Sequence, residues 1–277
     1  MSQDRPEQAR EVAVQREVAR IALAGVDSFA LAGSGAIREH GLIERPTEDV
    51  DLFTTSQDVT AFSAAVDQVT NQLRGSGYQV EQTRQAPQFA RLHVATGDGL
   101  QLDVDLGVDW RQDDPVTLDL GPVLSLADAV GNKVSALYSR GEPRDYLDVD
   151  AIRASGRFRD GQLLTAAAER DAGFDVPMFA QQLDAARRIT PADVDRYDVT
   201  ADQLEAVKTR CVQWATDLRS QASSDPAEDP LRDLAEHLRA SFPMPATEAV
   251  RQRPGQDEPP AQRPPHPTPH PDRGIEL

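Results

Sequence analysis

Polar and apolar residues alternate with a period of two over Asp49–Thr54, where Asp49 and Asp51 interleave with Val50 and Leu52. That period predicts a strand with one polar and one buried face. Further strands are predicted at Phe29–Ala32, Tyr78–Gln82, Phe89–Ala95 and Leu100–Leu106, with Thr96-Gly97-Asp98-Gly99 as a hairpin turn between the last two. Helical spacing places Val12, Val14, Ala19, Ile21 and Ala22 on one side of residues 7–25. The same spacing aligns Phe62, Ala65, Val66, Val69 and Leu73 in Val59–Leu73, which Gly75-Ser76-Gly77 terminates. A short helix is expected around Ala36–His40. Beyond residue 120 the pattern is helical. Ser125, with Asp128 three residues on, predicts a capped helix reaching Ser139. Helices follow at 145–154, 161–170, 177–189, 201–221 and 228–240.

The class is therefore α+β. A mixed sheet flanked by helices occupies residues 1–124, and a helical region occupies 125–241. The segment 242–277 carries ten prolines between Pro243 and Pro271. It has little to bury and is expected to be disordered. His266 and His270 in this tail are too sparse to predict a metal tract.

The 277 residues hold 29 basic and 46 acidic side chains, for a net charge of −17. This argues against a broad basic surface for nucleic acid, so such a partner needs a local patch. Arg38, Arg140, Arg144, Arg153, Arg157 and Arg159 on the helices are candidates for one. Cys211 is the single cysteine, which excludes a disulfide scaffold or a Cys-rich zinc site. No apolar run approaches the ~18 residues of a membrane span. The polar N-terminus MSQDRPEQAREV does not read as a secretory signal, so a cytoplasmic protein is expected.

Asp49 and Asp51, two apart on a strand, point to the same face. They can hold one or two Mg²⁺ or Mn²⁺ ions, although a solvated strand face gives the same pattern. Upstream, a strand ends in Gly33-Ser34 before a helix start, an arrangement that bares backbone N–H groups for phosphate oxygens. A dinucleotide fingerprint fails because Arg38 stands where its third glycine belongs. Leu102-Asp103-Val104-Asp105-Leu106 offers a third carboxylate, Asp103 or Asp105, for metal or proton transfer. Only two lysines, Lys133 and Lys208, stand among 27 arginines. Lys133 lies in an apolar helix, where a compact ammonium suits phosphate as a point charge. Arg144, Asp145 and Asp148 share one helix face, either as a structural pairing or with Asp145 aimed at a site. Cys211 and Trp214 read as core, and no Ser-His-Asp or Cys-His arrangement suggests itself.

Together, FALAGSGAIREHG, RPTEDVDLF and NKVSALYSRGEPRDYLDVDAI resemble the polymerase-β-like nucleotidyltransferase superfamily. More narrowly, they resemble the AbiEii/AbiGii toxins of type IV abortive-infection systems, a group related to mycobacterial tRNA-modifying toxins. GQLLTAAAERDAGFDVPMFAQQLDAARRI extends the likeness, which spans roughly residues 20–190. The resemblance implies a nucleotidyltransferase core followed by a helical domain that completes the active site. It implies that Gly33 and Ser34 bind the triphosphate, that Arg144 and Asp148 help bind the substrate, that Asp49 and Asp51, with Asp105, hold Mg²⁺, that Lys133 contacts phosphates, and that Asp145, or else Asp148 or Asp105, is the later catalytic carboxylate. It implies NTP as substrate, an RNA acceptor (the tRNA 3′ end), pyrophosphate release and a cognate antitoxin. A small-molecule or protein acceptor, or a catalytically inactive nucleotide-binding module, are the competing readings.

Overall fold

The alternating segment Asp49–Thr54 becomes a strand near the middle of a seven-stranded mixed sheet. In this computed structural model residues 4–26, 28–45, 47 and 49–224 are described. The helix expected at 228–240 and the Pro-rich tail lie outside them. In chain order, α1 (Asp4–Leu23) leads to β1 (Ala30–Leu31), α2 (Gly33–Glu39), β2 (Asp49–Thr54) and α3 (Val59–Gly75). Next come β3 (Gln79–Ala86), β4 (Phe89–Ala95), β5 (Gln101–Val108), β6 (Val116–Leu118) and β7 (Gly121–Val123). Helices α4 (Leu126–Ser139), α5 (Pro143–Ala154), α6 (Asp160–Arg170), α7 (Val176–Asp184), α8 (Pro191–Val194) and α9 (Ala201–Ser224) complete the described chain.

The strand order is β3-β4-β5-β2-β1-β7-β6. The pairs β2–β5 and β1–β7 are parallel and the others antiparallel. Val50 and Leu52, with Leu102, Val104 and Leu106 and with Ala90, Leu92 and Val94, make one buried face. The helices α1 and α3 join it through Val18, Ala22, Phe62, Val66, Val69 and Leu73. Each such side chain contributes about 1.5–3 kcal/mol on leaving water, which fixes the strand register and sends every carboxylate of β2 and β5 to the opposite face. Asp58 caps α3, accepting from the Thr60 and Ala61 amides at 2.9 and 3.1 Å.

Behind the sheet, α4 packs on α2, α5 and α6, and α9 lies against α5 and α7. Ser125 caps α4 as expected, accepting from the Asp128 amide at 3.0 Å. Phe179 meets Trp214 edge-on at 5.2 Å, which puts Trp214 and its neighbour Cys211 in the core.

Local expectations change at several places. The strand expected to end at Gln82 runs on to Ala86. The short helix begins at Gly33 rather than near Ala36, because the Ala36 amide closes onto the Ala32 carbonyl at 2.9 Å. The helix expected over 177–189 ends at Asp184 and tightens into a 3-10 turn over Ala185–Arg188. The hairpin β6–β7 was not expected: strands of three residues with Pro122 in one carry no readable period.

Candidate active site

Parallel pairing of β2 with β5 sets Asp49 opposite Asp103 and Asp51 opposite Asp105, so all four acids lie on the face away from α1 and α3. Asp49, Asp51 and Asp105 each offer a carboxylate oxygen within 4.8 Å of the others. Asp103, the alternative to Asp105, turns instead to His93 Nδ1 at 3.0 Å. Three converging oxygen ligands fit a hard divalent cation. Burial, the neighbouring Asp49 charge and Asp105 push the Asp51 carboxyl up to about 7, while Lys133 and Arg144 pull it down.

Gly33 makes the close approach to this triad possible. Its φ is +56°, and a Cβ there would stand 1.8 Å from Asp51 Oδ2. The β1 end of the turn is pinned by the Ala32 amide donating to the Asp51 carbonyl at 2.8 Å. The backbone therefore runs directly against the carboxylates because position 33 lacks a side chain.

Beneath the turn lies a buried ion cluster. Ser34 Oγ donates to Asp148 Oδ2 at 2.9 Å, and Lys133 Nζ lies 2.9 Å from the same oxygen. Arg45 forks Asp148 with two bonds of 2.7 Å and stacks over the Tyr197 ring at 4.8 Å. Burial alone would raise the Asp148 carboxyl; Lys133 and Arg45 outweigh it and hold the group below its ordinary value. Asp145 is also fully buried, accepts a bidentate pair from Arg140 at 2.9 and 3.0 Å, and lies 3.7 Å from Lys133 Nζ. It also accepts from the Glu142 amide at 3.2 Å, closing the first turn of α5. Arg144 pairs with Glu142 at 2.9 Å and its field reaches Asp51.

The nine residues singled out from sequence thus form two adjoining groups: the Asp49–Asp51–Asp105 triad with Gly33, and the Ser34–Lys133–Asp145–Asp148 cluster with Arg144 at its edge. Two participants were missed. Arg45 comes from an irregular loop with no periodicity to mark it. Arg91 forks both oxygens of Asp105 at 2.6 Å from the adjacent strand β4; its only sequence signal is its place on the polar side of that strand. A cavity of about 810 Å³, lined by Leu42, Ile43, Arg45, Asp148, Tyr197 and Arg210 among others, includes neither the triad nor Ser34.

Residues 19–254 match the family model described as nucleotidyl transferase AbiEii toxin, type IV TA system. The chain belongs to that family. As an AbiEii-family toxin it is a nucleotidyltransferase, and the convergence of three aspartates beside a glycine turn is in keeping with metal-assisted transfer from NTP. The fold is similar to that of MenT4, a nucleotidyltransferase toxin from Mycobacterium tuberculosis, at 16% identity and a TM-score of 0.51, over 84% of this chain and 94% of that one. JHP933 from Helicobacter pylori is similar at 16% identity and a TM-score of 0.47, over 85% of this chain and 97% of that one. No curated protein matches the chain. Among the described residues no helix of this AbiEii-family toxin is long and apolar enough to cross a membrane.

Proposed function

We propose that the protein moves a nucleotide from NTP to the 3′ end of tRNA with release of pyrophosphate, acting in the cytoplasm as the toxin of a type IV pair restrained by a cognate antitoxin. The observation that carries this reading is the Asp49–Asp51–Asp105 convergence against Gly33. These three residues would hold Mg²⁺ or Mn²⁺, which when bound supplies positive charge to the α-phosphate and to the attacking and leaving oxygens.

The chain's own residues do the rest. Gly33 lets the backbone of the turn lie directly against the Asp51 carboxylate. Lys133 and Arg144 lend positive charge toward the same place, as their pull on Asp51 indicates. Asp148 is a positioning residue: it holds Ser34, Arg45 and Lys133 together beneath the turn. Asp145 ties Arg140 and the Glu142 amide to the first turn of α5, which carries Arg144. Asp105, on β5 next to β4, completes the triad and is held in place by Arg91.

Incubation with α-labelled NTPs, Mg²⁺ and total tRNA tests the reading. Label on RNA, removed by trimming the 3′ end, is expected. Label confined to protein or to a small molecule would assign the acceptor to one of those classes and overturn the tRNA assignment.

A further inference from the structure

The arginines expected from sequence to make an RNA patch are largely committed elsewhere. Arg38 bonds Gln15 and Thr47, Arg140 bonds Asp145, Arg144 pairs with Glu142, and Arg153 forks Asp160. The open face of the sheet offers a different surface. Register places Asp51, Asp105, Arg91 and Arg84 in one row across β2, β5, β4 and β3. The next row runs Phe53, Gly107, Phe89, Ala86. A Cβ on Gly107 would meet the Phe53 ring at 3.4 Å, so glycine there leaves room for the Phe53 ring over β5.

A bulge makes this surface. The β3–β4 register shifts between Gln82 and Arg84. Without it Arg84 would share the side of Gln82, which opposes the buried Leu92; with it Arg84 opposes Arg91 on the open face. There the exposed guanidinium lies over the Phe89 ring, 5.1 Å from its centroid, a cation–π contact that covers one face of the ring, and among the described residues it has no hydrogen bond or ion pair. Arg91 is tied to Asp105, so Arg84 is the cation of this row that is left for an outside anion. Phe89 sits diagonally across from Asp105, ~7–8 Å away on the same face.

From this we infer that the open face of β3 and β4 is the platform on which the unpaired 3′ end of the RNA acceptor lies, with Phe89 stacking a base and Arg84 contacting a phosphate. An aromatic ring and an adjacent exposed cation without a carboxylate partner, on a polar sheet face, are the two groups a single strand needs, and the row leads directly into the carboxylates where its terminal hydroxyl must arrive. The inference rests on the RNA reading above and names the residues that would recognise that acceptor.

The test is fluorescence anisotropy of the full chain with a labelled, unpaired RNA oligonucleotide, together with transfer kinetics on tRNA. Phe89→Ala is expected to weaken RNA binding about tenfold, with Phe89→Trp restoring it. Arg84→Ala lowers the salt dependence by about one phosphate contact. Arg84→Glu, at an exposed strand position, raises KM for RNA without moving KM for NTP. Unchanged RNA affinity and unchanged KM in Arg84→Glu and Phe89→Ala, with the wild type still labelling RNA, would overturn the platform and leave the proposed function standing. Failure of the wild type to bind or label any RNA would overturn both.

Discussion

Asp148→Ala removes the acid on which Arg45, Lys133 and Ser34 converge. Asp148 is fully buried, with bonds of 2.7, 2.7, 2.9 and 2.9 Å to those three partners. The side chains of Arg45 and Lys133 are only 8% and 6% exposed, so solvent replaces the lost carboxylate poorly, although Arg45 keeps its bond to Ser34 Oγ at 3.0 Å. Lys133 keeps Asp145 at 3.7 Å, a longer contact that Asp145 already shares with Arg140. Breaking one side of a buried pair costs about 3–5 kcal/mol. At roughly 2–4 °C per kcal/mol for a domain of this size, the melting temperature should fall by roughly 6–20 °C. Asp103→Asn, at a partly exposed pair with His93 and 3.5 Å from Arg91, should cost under about 1 kcal/mol. Thermal melts followed by circular dichroism, without NTP or metal, read both. The acid side adds a check of sign. Because the folded-state value of Asp148 is depressed, its contribution is complete above the unfolded value near 4 and is lost as pH falls further. The gap between wild type and Asp148→Ala should therefore narrow below about pH 4. A fall of less than 2 °C at pH 7 would refute the claim that this cluster carries the turn.

Gly33→Ala forces a side chain into a left-handed backbone and against Asp51, so it should lose about 1–2 kcal/mol of stability and at least tenfold in transfer; wild-type kinetics would contradict the close approach. Asp51, raised to about 7, must lose its proton to hold a cation, so Mn²⁺ affinity by calorimetry should be about tenfold tighter at pH 8 than at pH 6. Equal affinities at the two pH values would sink that reading. The folded chain binds this proton more tightly than the unfolded one, so Asp51 destabilises the metal-free protein as pH rises from 4 to 7. Asp51→Asn should flatten that slope in metal-free melts.

What sequence could reveal depended on how local the cause was. The β2 alternation placed Asp49 and Asp51 on one face because strand period is a property of adjacent residues, and β4 matched its expected bounds for the same reason. The arrival of Asp105 beside them depends on the parallel pairing of β2 with β5, which α3, β3 and β4 separate in the chain, and Asp103 is drawn off by His93 on β4. No local pattern encodes that register. Lys133 stood out by composition in a chain that prefers arginine, but its anchoring of Asp148 needed α4 and α5 to pack together. Arg45 and the bulge before Arg84 were invisible, since one lies in an irregular loop and the other breaks the period that strand reading relies on. The helix arginines looked available only until their acidic partners folded beside them.

The most direct test of the account compares the wild type with Asp49→Ala and Asp51→Ala variants, following NTP conversion to pyrophosphate in the presence of tRNA alongside growth inhibition on expression. Loss of both in each variant, with an unchanged circular-dichroism spectrum, is the predicted result. NTP conversion and growth inhibition that survive in folded variants would contradict a site built on the three converging aspartates.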